Sequence, residues 1–194
     1  MIGSEIQVLE QSNQKLVTFN LQSKLLQEKI IMIAGEIDEE SVLEYQEQLL
    51  YLLSKCNEGD VIQIYINSVG GEVYSGLGLY DVIQIIKSKG IIVKTINVGQ
   101  SFSMAAFILM SGTEGYRCGT KNSTTMIHEV SSGFYGKSPE ILDHSEEIRR
   151  VQKIAHDIIT KHADSKLIEL SERKDLWLSS EDALKYKIID KIIE

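Results

Sequence analysis

Apolar residues follow two alternating rhythms along this chain. "KIIMIAG" (Lys29–Gly35) is a compact, β-branched run closed by glycine, which predicts a buried strand. In "DEESVLEYQEQLLYLLSK" the apolar positions Val42, Tyr45, Leu49, Leu50 and Leu53 recur at helical spacing behind an acidic first turn. "GDVIQIYINS" predicts a second strand. "EVYSGLGLYDVIQIIKSKG" predicts a helix with Leu79, Val82, Ile83 and Ile86 on one side and Gly90 as its stop. "IIVKTINVG" reads as a third strand, ending near Val98, and "MAAFILMSGT" as a helix apolar all round and therefore central. "GYRCGTKNSTTMIHEV" holds a further short strand or a pair of them. Strands alternating with helices argue for crossover units and a mainly parallel sheet.

The rhythm changes on either side of this core. The opening "IQVLEQSNQKLVTFNLQSKLL" is polar, with weak alternation around Leu16, Val17 and Phe19, and predicts a flexible or hairpin-like arm leading into a short helix. From Ser138–Pro139, a helix start signal, one long amphipathic helix carries Ile141, Ile148, Val151, Ile154, Ile158 and Ile159 as its stripe. It lies outside the alternating pattern and reads as a protruding arm, packed either on its own domain or on the same helix of another copy. "LWLSSEDALKYKIIDKIIE" adds a short helix and an edge strand.

Composition narrows the function classes. The 194 residues suit one domain; 43% are hydrophobic and 25% charged, as in ordinary globular proteins. A net charge of −8 offers no basic field for nucleic acid. Cys56 and Cys118 form no CxxC and no disulfide framework, which suits a reducing compartment. The first residues lack the apolar core of a signal peptide, and no apolar run is long enough to span a bilayer. A cytoplasmic location without membrane or nucleic-acid partners is therefore expected. Histidines at ligand spacing are lacking, as are a Walker Gly–Lys and a GxGxxG after a strand, so no metal, cofactor or nucleotide is expected in the chain itself.

The chemistry gathers at the carboxyl ends of the strands. "GQSFSMA" places Ser101 and Ser103 between a strand and a buried helix, at the edge where open α/β sheets put their sites. A serine there serves either as a helix cap or as a nucleophile beside N–H groups that stabilise an oxyanion. Of four histidines, His144, His156 and His162 fall on the long helix at solvent-type positions; His128 ends the strand-like "TTMIH" on the same rim as Ser103. That makes His128 the candidate general base. Spacing does not choose the orienting acid among Asp175, Asp164, Asp182 and Asp190. The glycines of "INSVGG" allow close backbone approach, so N–H groups of Gly71 and Met104 are candidate oxyanion donors. Gly70, Glu72 and Val73 are expected to contact a peptide, with "EVYS" offering an edge strand.

Together "INSVGG", "GQSFSMAAFIL", "TTMIHEV" and "DLWLSSEDALKYKIID" resemble the proteolytic subunits of the Clp protease, the ClpP family, and the likeness spans nearly the whole chain. The resemblance implies an α/β fold of the ClpP/crotonase-like class, stacked βα units with a protruding handle helix. It implies residues 1–20 as an axial segment, 21–194 as the peptidase domain and about 134–165 as the handle region. It carries the roles of nucleophile to Ser103, base to His128 and orienting acid to Asp175. It further implies a serine endopeptidase that cuts unfolded polypeptides inside two stacked heptameric rings, a tetradecamer fed by an AAA+ unfoldase. A non-proteolytic scaffold subunit of a mixed complex is the alternative. The chain departs from the family pattern at Val69, where proline is usual. It also carries Glu129–Val130 after the histidine in place of Gln–Pro, and Arg173–Lys174 before Asp175, where an acid and an arginine usually meet across the ring interface.

Overall fold

The computed structural model describes residues 7–12 and 15–194. An antiparallel hairpin comes first, β1 (Gln7–Ser12) on β2 (Lys15–Asn20). The remainder of the expected axial segment, residues 1–6 and 13–14, lies outside the described residues. The Asn20 side chain accepts from the Gln22 N–H and starts α1 (Leu21–Gln27).

The core then alternates as its apolar pattern requires: β3 (Ile30–Ile37), α2 (Glu39–Leu53), β4 (Val61–Gly71), α3 (Val73–Ser88), β5 (Ile92–Phe102) and α4 (Met104–Met110). A capping box between Asp38 and Ser41 fixes where α2 begins. Along β4 every second residue is buried, with Ile62, Ile64 and Ile66 wholly shielded. The alternate positions Gln63 and Tyr65 are only partly covered. All seven residues of α4 are buried, as its uniformly apolar sequence demands.

β6 (Arg117–Thr120), β7 (Thr124–Ile127), α5 (Ser138–His162), α6 (Lys166–Leu170), β8 (Leu176–Leu178), α7 (Ser180–Lys185) and β9 (Lys191–Ile193) complete the chain. The main sheet runs β3-β4-β5-β6-β9, all parallel. At 11 residues, β5 is long enough to serve two neighbours. Its Thr95–Asn97 stretch pairs with β6, and Gln100–Phe102 pairs with β7. β7 in turn holds β8 antiparallel. This fork is what carries the next segments to the rim beside α4.

Three sequence expectations change here. The third strand runs on to Phe102 instead of ending near Val98, because Ser101 gains ladder partners in both Ser68 and Thr125. The "EVYS" segment offers no edge strand, since Val73 already begins α3 and Glu72 is its cap. The long helix is only half an arm. Val151, Ile158 and Ile159 are buried, whereas Ile141 and Leu142 near its start stay exposed, alongside Phe134 and a fully exposed Tyr135.

The histidines of α5 are not simply solvated either. Each is partly buried: His144 stacks on Phe134, His156 Nε2 lies 2.7 Å from Gln152 Nε2, and His162 Nε2 lies 2.7 Å from the Tyr80 hydroxyl. Burial, reinforced by Lys87, Lys161 and Arg117, pushes the His162 imidazole from 6.5 down to about 4. Between those values the unfolded chain binds a proton that the folded one refuses. Stability is therefore full above the upper value and falls as the pH drops through the window. The expected loss is about 3 kcal/mol at most. Thermal melts across this range should show the decline, and His162→Gln should flatten it; an equally steep decline in the variant would contradict the assignment.

Candidate active site

Ser103 is the first residue after β5, and its backbone adopts φ 52° and ψ −121°. A side chain in that region costs on the order of 1–3 kcal/mol and persists only where its surroundings impose it. Here the Ser103 N–H is held by the Met126 carbonyl at 2.8 Å, across the β5–β7 junction. The hydroxyl caps no helix N–H. It points instead at His128, whose Nε2 lies 2.8 Å from Oγ. His128 follows directly on β7, so the parallel pairing of Phe102 with Met126 sets both residues on one rim. Ser101, the competing serine, is wholly buried, and its hydroxyl has no hydrogen-bond partner. It faces the interior and is out of reach of a substrate.

The glycine pair closes in from β4. Gly70 and Gly71 both have positive φ, 86° and 154°. A Cβ on Gly70 would lie 2.4 Å from the Phe102 carbonyl oxygen and 3.0 Å from the Met104 nitrogen. One on Gly71 would lie 2.1 Å from the Ile37 carbonyl oxygen. Only glycine lets this backbone approach the elbow so closely. Gly70 is fastened by its N–H to the Ser68 hydroxyl, which itself donates to the Gly35 carbonyl.

Beside the serine a pocket opens, lined by the apolar Val73, Leu77, Met104, Phe107, Val151 and Ile158 together with Gly71 and His128. Two of its three helical walls, α3 and α5, are joined at the surface by the Tyr74 hydroxyl, which donates to Glu147 at 2.6 Å. Arg150 and Tyr74 hold the Glu147 carboxyl down at about 2, so this tie stays charged at any ordinary pH.

The acids sort by their partners. Asp190 is paired with Arg117 at 2.6 Å. Burial opposes its ionisation, but the Arg117 hydrogen bonds keep it below the usual carboxylate range. Asp182 meets the Ser179 hydroxyl at the start of α7, and Asp164 accepts from the Lys166 N–H. Asp175 immediately precedes β8, where Thr125, Met126 and Ile127 oppose Leu178, Trp177 and Leu176. One further step in that register sets His128 opposite Asp175. No hydrogen bond joins the two side chains. The structure thus brings Ser103, His128 and the glycine pair together, and sets Asp175 across the strand pair from the histidine without a hydrogen bond between them.

Sequence comparison fits this geometry. A family model for the Clp protease matches residues 12–194. A curated "ATP-dependent Clp protease proteolytic subunit" from Deinococcus radiodurans is 38% identical over 190 residues, covering 96% of this chain and 91% of the relative. The chain belongs to the Clp protease family. As a Clp-family member it is a serine-type peptidase, a hydrolase. Its α/β fold with a parallel sheet is that of the family. Among the described residues no helix is long and apolar enough to cross a membrane, and no group of His, Cys, Asp or Glu could hold a metal ion. Glu129, marked in the sequence only as a departure from the family pattern, has a partner that the sequence did not show. The Glu129 carboxylate accepts the Arg173 N–H at 3.0 Å, which ties the segment after His128 to the loop before Asp175. The acid standing where the family usually has Gln was the only signal of it.

Proposed function

We propose that this Clp-family peptidase cuts unfolded polypeptides with Ser103 as nucleophile, His128 as general base and Asp175 as the acid that orients the imidazole. The observation that carries the reading is the 2.8 Å approach of Ser103 Oγ to His128 Nε2 at a strained elbow. Nε2 takes the hydroxyl proton as Oγ attacks the scissile carbonyl carbon. N–H groups of Gly71 and Met104 meet the charge that develops on the carbonyl oxygen. His128 then returns the proton to the leaving amine, and water repeats the sequence on the acyl-serine. Gly70 and Glu72, on the extended backbone before α3, and Val73 at its first turn line the peptide path.

The apolar pocket sets a preference for the residue before the cut. Burying a leucine side chain there is worth about 2 kcal/mol, or about 30-fold in kcat/KM over a residue that gains nothing. An acidic residue would lose its water there and find neither lysine nor arginine among the lining residues. Fluorogenic peptides that differ only at this position, Leu against Asp, should separate by at least that factor. Equal rates would contradict the pocket's role.

Residues 1–20 serve as an axial segment, 21–194 as the peptidase domain and about 134–165 as a handle. Exposed Phe134, Tyr135, Ile141 and Leu142 favour burial of the handle against another copy, as in two stacked heptameric rings in the cytoplasm. "ATP-dependent" in the relative's name supports an AAA+ unfoldase as the energy-supplying partner. Light scattering on the purified chain checks the assembly. A particle of about 14 subunits is expected from the two-ring symmetry, and a stable monomer would contradict it.

A further inference from the structure

We propose that Glu129 is a positioning residue for this reaction, clamping the strand pair that brings Asp175 up to His128; this rests on the triad reading above. The β7–β8 ladder ends at Ile127 and Leu176. His128 and Asp175 lie one step beyond it, where fraying begins. Directly opposed residues of an antiparallel pair keep their Cβ atoms about 4.5–5.5 Å apart only while the two backbones stay together. Past the ladder, that separation needs another tie.

Glu129 supplies the tie. Its Oε2 accepts the Arg173 N–H at 3.0 Å, a side chain standing in for the next rung of the ladder. Arg173 sits at φ 61°, a left-handed backbone that a free loop would avoid. On the other side the Val130 N–H donates to Gln152 Oε1 of α5 at 2.7 Å. The segment carrying His128 is thus fixed to α5, and the loop carrying Asp175 is fixed to that segment. Glu129 is itself exposed, so core packing does not explain the contact. Its carboxylate touches neither Ser103 nor His128 by any hydrogen bond. It acts through the Asp175 loop.

Steady-state cleavage of a Leu-containing fluorogenic peptide by the full chain tests this in four variants: Glu129→Ala, Glu129→Gln, Asp175→Asn and the Glu129→Ala/Asp175→Asn pair. Glu129→Ala should lower kcat about tenfold or more with KM within about twofold, since misplacement at a reacting group is read in kcat. Glu129→Gln keeps a carbonyl for the Arg173 N–H and should recover most of the loss. In the Asp175→Asn background Glu129→Ala should add less than about twofold, because the two act through one contact. The clamp is refuted if Glu129→Ala matches or exceeds the parent chain, if glutamine fails to rescue it, or if its effect is undiminished beside Asp175→Asn. An Asp175→Asn single variant as fast as the parent chain would instead remove the triad reading, and the clamp with it. An impaired Asp175→Asn beside an unimpaired Glu129→Ala would remove the clamp alone.

Discussion

Ser103→Ala is expected to lower peptide cleavage by at least about 10⁴-fold while the fold remains intact. The hydroxyl makes its contact with His128 and caps no helix, so its loss leaves no buried group unpaired. The left-handed backbone at this position is imposed by β5 and β7 and costs alanine about what it costs serine. His128→Ala should fall to a similar level. The double variant should be little worse than either, since a nucleophile without its base gains nothing from being retained. The comparison that matters is kcat/KM measured beside a thermal melt. Residual cleavage of a tenth or more in Ser103→Ala would place the nucleophile elsewhere.

The second large effect is expected at Gly71. Gly71→Ala forces a methyl group to 2.1 Å from the Ile37 carbonyl oxygen, a distance no packing tolerates. At φ 154° the alanine is strained as well. Ile37 belongs to β3, whose pairing with β4 holds Gly70 and Gly71 beside Ser103. The two strands must therefore part at their active-site end, and under the proposed mechanism the Gly71 N–H moves off the developing oxyanion. Loss of one such donor costs about 10²–10³-fold in kcat. The expected result is a fall of at least that size together with a lower melting temperature. An alanine variant with parent-like kcat would show that the glycine loop is a plain turn.

Much of this was legible in the chain. Isoleucine at every second position of "IQIYIN" and the apolar run "MAAFILM" fit β4 and α4, because burial on one face or all round leaves few other solutions. The strand-end positions of Ser103 and His128 came from the same pattern. What could not be read depends on pairing between distant segments. Ser101 lies in a strand, not a turn, because Ser68 and Thr125 flank it. His162 is shielded by Tyr80, 82 residues earlier in the chain, so helical periodicity alone places it in solvent. β8 has three residues, too few for an alternation to show, yet its register sets Asp175 opposite His128. Asp190 is set aside by Arg117 from another strand, a pairing that spacing does not encode.

The departures from the family pattern have structural counterparts of different kinds. Val69 stands exposed in the glycine loop, whose course is held by Ser68 and by the two glycines. Glu129 acquires a partner in the loop that also contains the Arg173–Lys174 departure, so two of the changes meet at one contact.

Mapping a fluorophosphonate adduct by peptide mass spectrometry tests the central claim most directly, because the reagent reports an activated hydroxyl whatever the natural substrate. A single adduct is expected on Ser103, absent from Ser101 and strongly reduced in His128→Ala. An adduct on another residue, or labelling of Ser103 that is undiminished without His128, would contradict the paired serine and histidine.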